Sequence, residues 1–292
     1  MDTTLLTALV SGLAIGCVYG LVAIGFSMVF RAMGLVNFAQ GDILMLGAFL
    51  GFSLLAWMPG MPYLLLLVGA SLAAGVFGFL LERFILRPAV RRNANQTYLV
   101  LLTLGIGIVL SNAARLVWGA NPVIYNIPLR NDVLRFGGMA LPVLYFYIGA
   151  GMVVILLLLQ HLFKRTWVGL SLRAVADDPQ AAQLMGISVS RSSSAAFTIA
   201  CMLGAAAGVF YAPLFYVSFD MGLIGVKAFA AAVVGGFGNL PGAVVGGLVI
   251  GVAEAVGGVY IGTEFQDSIA FATMIVLLML KPRGLLGKGA AA

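Results

Sequence analysis

The sequence predicts an all-α polytopic membrane protein, with about eight transmembrane helices plus one short re-entrant or broken segment. Three observations predict it. The chain of 292 residues is 62% hydrophobic and 9% charged, where soluble domains carry about 25% charge. Its mean hydropathy is +1.10. Apolar runs long enough to cross a bilayer core of about 30 Å recur along the whole length. The alternating, roughly ten-residue segments of a transmembrane barrel do not occur.

The runs place spans at 5–30, 38–57, 62–82, 97–118, 141–161, 192–214, 242–259 and 265–280. The first is too long for the apolar part of a signal peptide and has no basic stretch before it. No segment of soluble composition divides the chain. Residues 1–292 are therefore expected to form a single transmembrane domain, with a cytoplasmic loop at 163–191 inside it.

Charge sets the orientation. Arg31 follows the first span; Arg83, Arg87, Arg91 and Arg92 follow the third. Lys164, Arg165, Arg173 and Arg191 lie between the fifth and sixth, and Lys281, Arg283 and Lys288 follow the last. Together these are 12 of the 16 basic residues. Placing them in the cytoplasm puts the amino terminus outside and the carboxyl terminus inside. The net charge of +6 is thus a topology signal and not a nucleic-acid signal. Parity then requires 223–259 to go in and come back, although 223–236 is short for a full crossing, at about 21 Å if helical. A broken or re-entrant element is tolerated only where protein or water covers the freed backbone.

Small residues recur at helical spacing. Gly12, Gly16 and Gly20 form one stripe; Ala243, Gly247, Gly251 and Ala255 form another. Such stripes let helix backbones approach closely in lipid. Two Gly-Asn breaks, in "GLVNFAQGDILMLGAFLGF" (34–52) and "GGFGNLPGAVVGGLVIGV" (235–252), each precede an apolar helix and suggest an internal repeat.

Several chemistries are excluded. No phosphate-binding Gly-rich loop is present. His161 is the single histidine and lies at a span end, which leaves no Ser-His-Asp set. Cys17 and Cys201 lie inside apolar runs, so neither a disulfide nor a metal site is expected, and no cofactor is implied. Asp42 and Glu254 are the acids that an ion-coupled carrier would use. Asp42, near a helix start, serves equally as a cap.

The soluble segment with most information is "WVGLSLRAVADDPQAAQLMGISVSRSS" (167–193). Ala174, Ala181, Ala182 and Leu184 favour a short helix, Asp177 or Asp178 can cap it, and Pro179 suits a first turn. Gly186 can end it in a left-handed conformation. Held between two spans, such a helix suits a cytoplasmic partner.

Three stretches carry a family resemblance: "GLVNFAQGDILMLGAF", "RAVADDPQAAQLMGIS" and "GGFGNLPGAVVGGLVIGVAEA". The chain resembles the smaller of the two homologous permeases of branched-chain amino-acid ABC transporters. Urea and short-amide permeases look similar. The resemblance implies a multi-pass protein of the bacterial inner membrane that is not an enzyme and binds no nucleic acid. Its implied partners are a second homologous permease, two cytoplasmic ATPase subunits, a periplasmic substrate-binding protein and membrane lipid. The loop with Arg173, Ala174, Asp177, Ala181, Ala182 and Gly186 would couple to an ATPase. Asn37, Gln40, Asp42 and Asn239 would line the substrate pathway, or only anchor their helices. Gly12, Gly16, Gly20, Gly247 and Gly251 would pack helices. A self-sufficient secondary carrier, relying on Asp42 or Glu254, is the alternative from another class.

Overall fold

The computed structural model describes residues 3–92, 94–125, 127, 132–136 and 139–287. Lys288 and Arg130, counted above in the charge pattern, lie outside the described residues. Eight helical stretches among them are long and apolar enough to span a bilayer. In chain order the elements are α1 (Thr3–Met33), α2 (Gln40–Trp57) and α3 (Tyr63–Leu81), which runs through a π turn (Glu82–Leu86) into α4 (Arg87–Arg91). Next come α5 (Gln96–Trp118), the antiparallel hairpin β1 (Val133–Phe136) and β2 (Met139–Pro142), and α6 (Val143–Arg165). Then follow α7 (Trp167–Asp177), α8 (Pro179–Leu184), α9 (Val189–Tyr211), α10 (Ile224–Gly235), α11 (Leu240–Tyr260) and α12 (Gln266–Leu280).

Helices α1 and α9 form the centre of the bundle. Val18, Leu21, Val22, Ile24 and Val29 on α1 are wholly buried, as are Phe197, Ala200, Cys201 and Ala205 on α9. Lipid tails give no hydrophobic reward for bringing helices together, so close packing must hold them. The sequence supplies it with missing side chains. A Cβ on Gly16 would fall 2.8 Å from the Gly247 carbonyl oxygen, and one on Gly12 2.9 Å from that of Gly251. The backbones of α1 and α11 therefore touch along the seam that Gly12, Gly16 and Gly20 share with Gly247 and Gly251. Helix α9 meets α2 the same way, through Gly47 against Ala205 and Gly208 against the Leu44 carbonyl. Five phenylalanines fill the gap between α1, α10 and the chain entering α2. Phe30 and Phe237 centroids are 4.6 Å apart, Phe38 and Phe229 5.5 Å, and Phe26 and Phe229 5.6 Å. The outer faces of α3, α5, α6 and α12 present exposed large apolar side chains.

The doubtful stretch 223–236 is a broken crossing, and this settles the parity. After α9 the chain runs without α-helix through 212–218, where Val217 bridges Val123 just beyond α5. A 3-10 turn (Phe219–Leu223) and the twelve-residue α10 complete the passage. Helix α10 ends where the backbone of Gly236 meets that of Gly287, and Gly238 lies against Arg31, at the basic end of the bundle. Helix α2 is broken at the opposite position. Gln40, its first residue, donates to the Ala200 carbonyl at 2.8 Å. Ala200 lies roughly 16 Å up α9 from Val189, at 1.5 Å per residue. Residues 34–39 thus bring the chain back into the membrane in non-helical form before α2 starts. The two Gly-Asn breaks that look alike in sequence lie at different depths, one inside the bundle and one at its basic end.

Candidate translocation site and coupling loop

The two broken helices meet each other. The backbone of Gly41, at the start of α2, packs on Gly222 and Gly225, where the 3-10 turn passes into α10. No other residue type fits there, because a side chain on either strand would enter the other's backbone. Asp42 lies at this junction. One carboxylate oxygen faces the bare Cα of Gly107 on α5, and the other that of Gly222. Asp42 is half-buried. Among the described residues no cation comes within 4.0 Å of it.

Asn37 and Gln40 stand directly beneath this junction and are wholly buried. The Asn37 amide donates to Gln40 Oε1 at 3.3 Å. Its own oxygen, Asn37 Oδ1, is buried without a partner. Thr103 on α5 accepts from the Phe38 backbone N–H at 3.2 Å, so a hydroxyl replaces a helical partner for the non-helical segment. Asn239 lies elsewhere. Its Oδ1 caps α11 by accepting from Gly242 N at 3.3 Å, and its amide donates to the Leu286 carbonyl at 2.5 Å.

The loop 163–191 holds two helices where the sequence predicts one. Thr166 caps α7 by accepting from Gly169 N at 3.1 Å, and α7 lays Leu172 and Val175 into the bundle. The residue before a proline disfavours helical backbone. Asp178, ahead of Pro179, is accordingly extended; it ends α7 and caps α8, accepting from Gln180 N and Ala181 N at 2.8 and 3.0 Å. Asp177 lies 3.9 Å from Arg31 at the surface. Arg173 and Ala181 are exposed, Ala174 is half-buried, and Ala182 is buried. Gly186 has φ +82°, and Ile187 N donates to the Ala182 carbonyl at 2.9 Å, which closes α8. This geometry leaves Leu184 and Met185, 89% and 82% exposed, projecting from the basic end with Trp167.

Two charge clusters went unnoticed in the sequence. Lys227 on α10 binds Glu254 on α11 and Asp267 on α12, each at 2.6 Å, and Tyr19 of α1 donates to Glu254 Oε2 at 2.8 Å. Glu82 pairs with Arg87 at 3.1 Å and accepts from Ser194 at 2.7 Å. Glu254 lies far in sequence from Lys227 and Tyr19, as Glu82 does from Ser194, whereas Arg87 is only five residues from Glu82.

Among the described residues, eight helices long and apolar enough to cross a membrane, non-helical breaks beside them and a loop of two capped helices have the build of a transporter. The model of the family described as branched-chain amino acid transport system / permease component matches residues 8–278. The chain belongs to this family. The permease is therefore a multi-pass inner-membrane transport protein and not an enzyme. It is 32% identical to the high-affinity branched-chain amino acid transport system permease protein LivH of Escherichia coli, over 95% of this chain and 94% of that one. It is 33% identical to the corresponding protein BraD of Pseudomonas aeruginosa, over 97% and 96%. A more distant relative is LivM of Escherichia coli, 26% identical over 92% of this chain and 68% of that one. Relatives of this permease thus include two different permease proteins, as in a two-permease transport system. Among solved structures, PsaBC from Streptococcus pneumoniae in complex with Fab is similar at a TM-score of 0.52 and 17% identity, covering 96% of this chain and 92% of that one. That likeness concerns the fold.

Proposed function

We propose that this permease is one membrane subunit of an ATP-driven importer and passes branched-chain amino acids into the cytoplasm. It works with a second, related permease, two cytoplasmic ATPase subunits and a substrate-binding protein outside. The family membership supports this reading; it lends none to urea or amide uptake or to a self-sufficient carrier. Glu254, one of the two acids such a carrier would need, is already matched by Lys227 and Tyr19.

The observation that carries the ATP-driven reading is the α7–α8 unit. It is rooted in the bundle by Leu172, Val175 and Ala182, it bridges two membrane-crossing helices, and it projects Leu184 and Met185 away from the protein. An ATPase subunit that grips those side chains moves α6 and α9 together, through a packed and contiguous element. In this scheme Arg173, Ala174, Asp177, Ala181, Ala182 and Gly186 shape the docking unit across 163–191. Asn37, Gln40 and Asp42 belong to the pathway at the broken-helix junction, and Asn239 anchors the turn between α10 and α11 at its inner end.

The test is a Leu184→Asp/Met185→Asp double variant, produced with the genes for its ATPases and second permease. The two permeases should still assemble, while ATPase co-purification and ATP-driven leucine uptake in proteoliposomes should be lost. Full co-purification and uptake would remove the coupling role of this unit.

A further inference from the structure

We propose that Asp42 is the group that recognises the ammonium end of a zwitterionic substrate as it passes the broken-helix junction. The inference rests on the amino-acid import reading above. It starts from how the protein treats its intramembrane carboxylates. Glu82 is 1% exposed and has Arg87 and Ser194; Glu254 is 7% exposed and has Lys227 and Tyr19. Both are fully matched. A carboxylate without a counter-charge is expensive in a bilayer, yet Asp42 is left with none among the described residues. It is also only half-buried, so it is open to a visitor.

Asp42 is packed on two sides and partly exposed on the rest. Gly107 and Gly222, from two separate elements, lack side chains where its two oxygens pack against them, so the carboxylate itself takes the space their Cβ atoms would fill. The neighbouring strip is unsuited to lipid. Asn112, Arg115 and Asp220 are exposed there, Ser111 donates to the Phe219 carbonyl at 3.3 Å, and the Arg115 guanidinium lies 4.9 Å from the Phe219 ring. By contrast, the exposed mid-helix side chains of α6 and α12 are apolar, including Val153, Leu157, Ile275 and Val276. The strip of α5 that meets the 3-10 turn thus carries polar side chains, with Asp42 as the unmatched charge beside it. A primary ammonium brings three donors to a carboxylate and a full compensating charge. The exposed Leu104 and Ile108 on the same helix give the substrate's aliphatic part an apolar wall. With one charge, partly hydrated, the contact is strong enough to select and weak enough to release.

Asp42→Asn keeps the shape and removes the charge. In the complete complex in proteoliposomes, leucine uptake should fall about tenfold or more, the effect of losing one charge-assisted contact. ATP hydrolysis stimulated by the loaded binding protein should persist. The thermal midpoint of the purified variant should be equal to or above that of the wild type, because an unmatched carboxylate is removed. Unchanged uptake would overturn the proposal. So would a lower midpoint together with lower uptake, which would make Asp42 a structural cap. Wild-type uptake that requires a pH gradient would assign Asp42 to proton transfer instead. Absence of ATP-driven leucine uptake in the wild-type complex would count against the import reading itself, and that outcome is separate from these.

Discussion

Lys227 of α10 and Glu254 of α11 form an ion pair of 2.6 Å between the short helix of the broken crossing and the glycine-rich helix that returns beside it. Their side chains are 17% and 9% exposed. Removing one member of such a pair leaves the other charged and buried, at a cost of about 3–5 kcal/mol, whereas removing both is nearly neutral. Lys227→Met should therefore lower the thermal midpoint in detergent sharply, and Lys227→Met/Glu254→Gln should recover most of the loss. A double variant no more stable than the single one would show that Lys227 acts chiefly through exposed Asp267.

The α1–α11 seam tolerates no side chains. Gly16→Leu and Gly247→Leu each place a branched group into facing backbone, and neither helix can yield without opening the bundle. Both should leave little monodisperse protein on size-exclusion chromatography. Gly149→Leu, where nothing lies within 4 Å of the added Cβ, should behave as wild type.

Gln40 holds the start of α2 to the middle of α9 through the Ala200 carbonyl. Gln40→Leu removes that bond and also leaves the Asn37 amide without its acceptor. A loss of about 1–3 kcal/mol is expected for stranding buried polar groups, read as a lower unfolding midpoint. No loss would mean that water replaces the side chain.

Gly186 closes α8 with φ +82°. A β-branched residue resists that conformation at roughly 1–2 kcal/mol. Gly186→Val should insert and fold but present Leu184 and Met185 wrongly. Less ATPase subunit should therefore co-purify, with little change in the permease's own midpoint. Equal co-purification would show that α8 adapts to its partner.

Single cysteines introduced near Arg87, Arg173 and Lys281 should all resist an impermeant thiol reagent in intact cells, while one near Glu264 should react. Reaction at any of the first three would reverse the assigned orientation.

The spans were legible because each rests on a local property, a long apolar run between charged turns. The helix of the loop 163–191 was legible through its cap, its proline and its glycine, although Asp178 divided one expected helix into two. The hairpin of β1 and β2 carried no such signal. The junction around Asp42 was only half legible. The polar residues Asn37, Gln40 and Asp42 stood out against their apolar setting. That Gly107 and Gly222 face Asp42, and that Lys227 answers Glu254, depends on helices far apart in the chain. Nothing local to a glycine or a lysine records which distant element comes to rest against it.

The seam between α1 and α11 also has a consequence for biogenesis. Helix α1 finds its companion α11 only after more than 200 further residues have been made. Until then its glycine face is open to lipid, to the insertion machinery or to another nascent chain. Non-local pairing of this kind is slow to form. A chain that stops short of α11 would thus be marked by that vacant face, which gives membrane quality control a ready means of telling an unfinished permease from a complete one.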